Sequence, residues 1–210
     1  MTEIDIPLED ELLLAAEASA HAEEESKPEV PSEINLLPLR DSVIYPMLIA
    51  PLSVARDASI QLIDESIVGN NRIIGVVTQL RPQVDNPKFD DVYQVGCAVI
   101  IRTLVKMPDA VRLIVQGVQR FRIVEQIHEE PYLRAKIELI TEDEEPADKA
   151  EEIEALRRSV AALFEQAIRL SPALPDELRT LTQSVQETHV MADLVAAPKT
   201  LIAGDKQQGL

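Results

Sequence analysis

His21, His128, His189 and Cys97 are the side chains here that most often begin a catalytic or metal-binding constellation. Histidine is the usual acid–base group near neutral pH, and with cysteine it is the commonest zinc ligand. Both roles require partners at characteristic spacing, or a fold that gathers them. The three histidines lie far apart: His21 in an acidic leader, His128 at the polar end of a strand, His189 in a helix. They read as surface or boundary histidines. Cys97 sits in an apolar stretch with no flanking charge to stabilise a thiolate, so it reads as a small buried hydrophobe. Being alone, it excludes an internal disulfide and a Cys-pair zinc site. Carboxylates are dense only in segments that read as mobile, where burial cannot tune a pKa. The sequence has no G-x-x-x-x-G-K-[ST] phosphate cradle, no G-x-S-x-G elbow and no His-Glu-x-x-His zinc pattern. These residues predict a chain that is not an enzyme by itself and that holds neither cofactor nor metal.

Binding chemistry is more visible. Tyr45-Pro46-Met47-Leu48-Ile49-Ala50-Pro51-Leu52 is an apolar stretch with a proline near each end. If the prolines hold it extended, the side chains from Tyr45 to Ile49 cannot all be buried. Two readings stay open. Leu48 and Ile49 plug a core, or the stretch is an adaptable surface, a use to which methionine is suited. Met107 and Pro108 pose the same choice at a hairpin tip, between an ordinary exposed turn and a second contact point. The candidate protein-binding residues are Tyr45, Pro46, Met47, Leu48, Pro51, Met107 and Pro108.

Periodicity supplies the elements that must position them. Residues 1–33 read as an acidic, disordered leader in which Leu12–Ala15 could form a short helix. Residues 34–140 read as strands with one helix. Ile34–Arg40 is a short apolar strand that Pro38 assigns to an edge or a kink. Asp57 is a credible N-cap for a helix carrying Ile60, Ile63 and Ile67, with Gly69-Asn70 as its stop. Arg72–Thr78 is a buried strand, and residues 80–91 form a polar loop. Val95–Met107 and Val111–Gln126 form the strongest hairpin, turning at Pro108-Asp109. In its second strand Val111, Leu113, Val115, Phe121 and Ile123 share one parity, and Arg112, Gln116, Arg120 and Arg122 the other. Gly117 in mid-strand suggests a bend or bulge. Tyr132–Ile140 alternates and closes a curved sheet. After an acidic connector (141–149), Ile153, Leu156, Val160, Leu163, Phe164, Ala167 and Ile168 mark a long amphipathic helix. Residues 171–176 break it, and shorter helices follow at 176–187 and 188–197. Strands first and helices second predict an α+β architecture, with a helical subdomain over 150–210.

Of the 210 residues 46% are hydrophobic and only six are aromatic, none of them Trp, so the core is built from Ile, Val, Leu and Ala. That share excludes wholesale disorder. No apolar run nears the roughly 18 residues of a membrane span, and no signal peptide is visible. The formal charge of −17 is concentrated, with −10 in residues 1–33 and −7 in residues 141–154, so the remainder is neutral. Those acidic segments argue against nucleic acid as the main partner.

Leu37-Pro38-Leu39-Arg40-Asp41, followed by Tyr45-Pro46 and Pro51-Leu52, resembles the opening of the N-terminal domain of bacterial Lon proteases. Val95-Gly96-Cys97-Ala98 running through Lys106-Met107-Pro108-Asp109 to Val115-Gln116-Gly117-Val118-Gln119-Arg120-Phe121-Arg122-Ile123 is similar to the same family, as is Met191-Ala192-Asp193-Leu194-Val195-Ala196. The resemblance covers Ile34 to Ala197. It departs at Ala110, where the family usually has Gly, at Pro198 and Gly204, and in the long leader. The resemblance implies a PUA-like β-rich pseudo-barrel followed by a helical subdomain. It implies capture of unfolded or damaged proteins in the bacterial cytoplasm, and self-association within a hexamer. ATP, Mg and a Ser-Lys peptidase site are implied only for modules absent from this chain, which reads as a fragment. Two alternatives remain. One is a free-standing interaction module of the same fold. The other is RNA binding, since residues 96–137 hold seven Lys or Arg against four acids, although few aromatics are available to stack on bases.

Overall fold

The hairpin read from residues 95–126 is the spine of the molecule: β4 (Val95–Lys106) runs back antiparallel as β5 (Val111–His128). The structure, a computed structural model, describes residues 28–69, 72–141, 149–170, 185 and 187–196. Before the hairpin come β1 (Glu33–Leu39), β2 (Ile49–Val54), α1 (Asp57–Gly69), β3 (Ile73–Thr78) and a 3-10 turn at Phe89–Asp91. After it come β6 (Leu133–Leu139), α2 (Ala150–Leu170) and α3 (Thr188–Ala196). The expected leader over residues 1–27, the connector over 142–148, the break and helix over 171–184 and the segment after Ala196 lie outside the described residues.

Five strands close a ring. β1 pairs in parallel with β3 and antiparallel with β6, β6 with β5, β5 with β4, and β4 with β3. Closure leaves those strands no free edges where both sides pair. The ring is filled by Ile34, Leu36, Ala98, Phe121, Ile123, Leu133, Ala135 and Ile137, with Phe89 and Val92 packed among them. Phe121 sets the local spacing. A Cβ on Gly75 would stand 3.0 Å from its ring, and one on Gly96 would stand 2.8 Å from it and 2.4 Å from the Val76 carbonyl. Those glycines are what let a benzyl group fill so small a lumen.

The outer face of β1, β3 and β4 is also covered. Leu37, Ile74, Val76, Cys97, Val99 and Ile101 pack there against Leu62 and Ile63 of α1, and against Leu52, Val54, Val111, Leu113 and Val115. All six residues of β3 are therefore buried, which is why Arg72–Thr78 reads as a continuous apolar run without alternation. Burying Leu62 and Ile63 contributes about 3–6 kcal/mol toward holding α1 in place.

β5 serves both cores through a bulge. Ala98 pairs with Gln119 and Val99 with Gly117, leaving Val118 unopposed. An extra residue reverses which face the odd positions take. Val111, Leu113 and Val115 accordingly point to one core and Phe121 and Ile123 to the other.

Two sequence expectations need correction. β1 is not an edge strand: β6 pairs with it from Glu33 to Leu36 and β3 on the other side from Leu36 to Leu39, so from Leu37 to Leu39 it pairs with β3 alone. Pro38 sits in that one-sided stretch, where a missing N–H costs nothing. Asp57 is not the cap of α1, because the Arg56 carbonyl accepts the first helical bond from Ile60 N–H at 2.9 Å. Asp57 instead lies in the first turn and acts on the helix dipole.

Candidate functional site

The apolar loop before β2 is pinned to the middle of β5. Met47 N–H donates to the Gly117 carbonyl at 3.0 Å, and Gly117 N–H donates to the Leu48 carbonyl at 2.9 Å. The approach is so close that a Cβ on Gly117 would lie 2.0 Å from the Tyr45 carbonyl oxygen. Met47 takes a left-handed φ of 64°, which costs about 1–2 kcal/mol for an L-residue. The kink sends neighbouring side chains in opposite directions: Tyr45 is 1% exposed and Met47 is 53% exposed.

Tyr45 points into a buried charge pair. Arg120 of β5 and Asp193 of α3 meet at 2.5 Å with both side chains almost fully buried. Burial first, and then the Asp193 carboxylate, push the Tyr45 phenol up to about 12, partly offset by Arg120. Beside the pair, Leu48 packs against Phe164, Ile168 and Leu194. Two of the expected contact residues are thus structural. Tyr45 is a buried anchor, and Leu48 plugs the seam to α2 and α3 rather than the barrel. Pro46 is half-buried.

Pro51, Met107 and Pro108 remain at the surface; strand parity puts Pro51 and Met107 on the outward side of the arm, and Pro108 lies in its turn. Pro51 pairs with Ile114, which pairs with Thr103; Ser53 pairs with Arg112, which pairs with Val105. These ranks point away from the core, because Leu52, Val54, Leu113 and Val115 in between point inward. Val105 is 52% and Met107 46% exposed. The outer face of the β2–β5–β4 arm is thus mixed: Pro51, Val105 and Met107 stand exposed and Ile114 half-buried, beside the exposed Thr103, Ser53 and Arg112. Lys106 ties the arm to α1 through Asp64 at 2.7 Å, and Met107 N–H closes the tip on the Ala110 carbonyl at 2.8 Å. Met47 stands at the other end of β2, roughly 20 Å away at strand rise. Sequence reasoning missed Val105 and Ile114. Their signal was their place on the outward parity of the hairpin, among Arg112 and Gln116.

The residues capable of chemistry do not converge. Burial pushes the Cys97 thiol up to about 12, so it stays protonated. His128 Nδ1 lies 3.0 Å from the Tyr132 carbonyl, and His189 lies 3.0 Å from the Glu187 carboxylate. His21 is outside the described residues. Among the described residues no three His, Cys, Asp or Glu side chains are placed to hold a metal. An open groove of about 340 Å³ runs between the start of α1 and the turns at 85–88 and 129–132. Four of its lining charges are engaged with neighbours: Asp85 with Arg40 at 2.8 Å, Lys88 with Glu129 at 3.5 Å, and Arg56 with Gln79 at 2.8 Å. No helix among the described residues is long and apolar enough to cross a membrane.

Known proteins share this arrangement. The family model of the ATP-dependent protease La (LON) substrate-binding domain matches residues 33–208. The Lon protease of Dictyoglomus thermophilum is 38% identical over 181 residues, covering 86% of this chain and 22% of its own length. That of Koribacter versatilis is 38% identical over 175 residues, covering 82% and 21%. The chain therefore spans about a fifth of the length of the curated relatives it matches. Among solved structures, the N-terminal domain of Mycobacterium avium complex Lon protease matches with a TM-score of 0.68, over 84% of this chain and 88% of that one. At 17% identity that match speaks for the α+β fold alone. Matched over most of its length by the family model and by relatives more than a third identical, the chain belongs to the substrate-binding domain family of the ATP-dependent Lon proteases.

Proposed function

We propose that this chain is the non-catalytic capture domain of a bacterial, cytoplasmic Lon-type protease. It binds unfolded or damaged proteins and helps organise the hexamer that degrades them. On this reading ATP, Mg and the Ser-Lys peptidase site belong to modules beyond these residues. The observation that carries the reading is the outer face of the β2–β5–β4 arm, where the apolar Pro51, Val105 and Met107 stand exposed on a hydrogen-bonded sheet. A folded protein offers such a face little to bind, whereas an unfolded chain offers apolar side chains in abundance. Weak capture suffices. A millimolar to micromolar site is worth about 4–8 kcal/mol, and linked copies raise avidity by about 10²–10⁴ where geometry lets them engage one chain.

The test is a solution NMR titration with one small protein, presented folded and then destabilised. Shifts at Val105, Met107 and Ile114 seen only with the destabilised form are the expected result. Equal shifts with both forms, or none at this face, would overturn the assignment.

A further inference from the structure

Proline stands where the sheet leaves backbone unpaired. β2 is the outermost strand: β5 lies on one side of it, and no described strand pairs on the other. Two hydrogen bonds fix which of its residues turn their backbone groups outward. Gly117 N–H donates to the Leu48 carbonyl, so residue 48 faces β5. At the tip Met107 N–H donates to the Ala110 carbonyl, so the even residues of β5 up to Gln116 face β4 and the odd ones face β2. The register from Ile49 opposite Gln116 to Val54 opposite Val111 is continuous, and backbone direction alternates along it. Ala50, Leu52 and Val54 therefore bond to β5, while the backbone groups of Ile49, Pro51 and Ser53 point off the edge. Pro51, at the centre, has no N–H to offer. β1 repeats the arrangement. Ile137 N–H donates to the Ser32 carbonyl and Gln79 N–H to the Leu39 carbonyl, so the even residues of β1 face β6. Pairing with β6 ends at Leu36, and the next even residue is Pro38. On the arm's other margin Lys106 sets a charge, tied to Asp64 of α1 at 2.7 Å. Proline and lysine are the residues that blunt a strand edge.

We propose that Pro51 makes the arm select side chains and ignore backbone. An unfolded chain is held against Pro51, Val105 and Met107 by its apolar groups and is kept from adding to β2 as a further strand. The inference rests on the capture reading and names how the captured chain is recognised. An open edge beside an exposed apolar face would hydrogen-bond any extended segment, because main-chain pairing gives affinity whatever the sequence. A strand joined that way is released only as its ladder opens. Contacts to side chains alone let a chain go segment by segment, and they accept helical, turned and extended segments alike. A ladder accepts extended segments only.

Two forms of one peptide separate the modes. One is a short Val- and Leu-rich segment with Lys at both ends. The other has the same side chains with alternate amides N-methylated, which removes the backbone donors along one edge. Fluorescence anisotropy with the 210-residue chain should give dissociation constants within about twofold of each other. Pro51→Val supplies the missing N–H on an apolar, strand-favouring residue. That variant should take the unmethylated form about tenfold more tightly than the methylated one. Adding Ser53→Pro to Pro51→Val moves the proline two residues along the same edge and should cancel the preference, a rescue that an effect on folding would not produce. A wild-type chain that prefers the unmethylated peptide beyond about twofold overturns the proposal, because its edge is then already open. So does a Pro51→Val chain with no more preference than the wild type. If the wild type binds neither form, the capture reading fails. Pro51→Val still preferring the unmethylated form would then uphold the closed edge by itself.

Discussion

Gly117 is where loop and sheet are forced together, and its substitution has a definite sign. A Cβ at this position would have to push the Tyr45 carbonyl back from 2.0 Å, and both loop hydrogen bonds would stretch. Gly117→Ala should cost about 3 kcal/mol, the upper end of overpacking. It would be read as a lower urea midpoint at unchanged slope. A second expectation concerns alkaline pH. The Tyr45 and Tyr132 phenols are pushed from 10.0 to about 12, Tyr45 first by burial, Tyr132 by burial and then by its bond to Glu65. The Cys97 thiol is pushed from 9.0 to about 12 by burial. The folded state therefore holds these protons longer than the unfolded state does. The stability they contribute is complete below about pH 9 and is lost as pH rises toward 12. Chemical denaturation at pH 8, 10 and 11 should show that decline, and Tyr45→Phe with Tyr132→Phe should flatten it. Cys97 was legible in the sequence because its neighbours are uniformly apolar. Arg120 was not: alternation put it on the solvent side, and only the Val118 bulge together with Asp193, 73 residues away, makes it a buried partner.

At the level of elements, the described residues hold α2 and α3 to the barrel through one small cluster and one charge pair. Phe164, Ile168 and Leu194 form a small cluster resting on Leu48, and the Arg120–Asp193 pair stands beside it. Phe164→Ala should cost about 3 kcal/mol, the low end of phenylalanine truncations. The loss should be local. Amide exchange in α3 should accelerate about 100-fold while β3, buried along its whole length, keeps its protection. Uniform acceleration would show that the two parts unfold as one. The hairpin, α1 and α2 could be read from sequence because their signals are local: alternation, helical spacing and turn residues. The parallel pairing of β1 with β3 could not, since nothing within a short apolar run names a partner as distant as Gly75 is from Leu36. Pro38 even argued for an edge. The two-sided burial of β3 showed only as missing alternation. On the surface, Pro51, Met107 and Pro108 were legible as apolar residues at turns and strand edges, whereas Tyr45 and Leu48 were misplaced because one left-handed residue between them reverses the chain.

For the molecule as a whole, the charge distribution separates hydrophobic capture from nucleic-acid binding. Formal charge of −10 lies in residues 1–33 and −7 in residues 141–154, while the remainder is neutral. In the paired ranks of the arm face Arg112 is exposed among Pro51, Ser53, Thr103, Val105 and Ile114. Binding of an unfolded chain there is driven by removing apolar surface from water, a term that moderate salt leaves nearly untouched and sulfate strengthens. Binding of RNA would instead release counterions, with affinity falling steeply as a power of salt concentration. The affinity for a destabilised protein should therefore change less than about twofold between 50 and 200 mM NaCl, where several phosphate contacts would cost about 10³-fold or more. It should tighten in sodium sulfate. Val105→Asp with Met107→Asp should weaken it at least tenfold at every salt concentration while leaving the melting temperature unchanged, because both side chains are about half exposed and neither belongs to a core cluster. Isothermal titration across the salt series checks both statements at once. A steep salt slope would transfer the binding energy from the apolar arm to the arginines of the strands, and with it the identity of the partner.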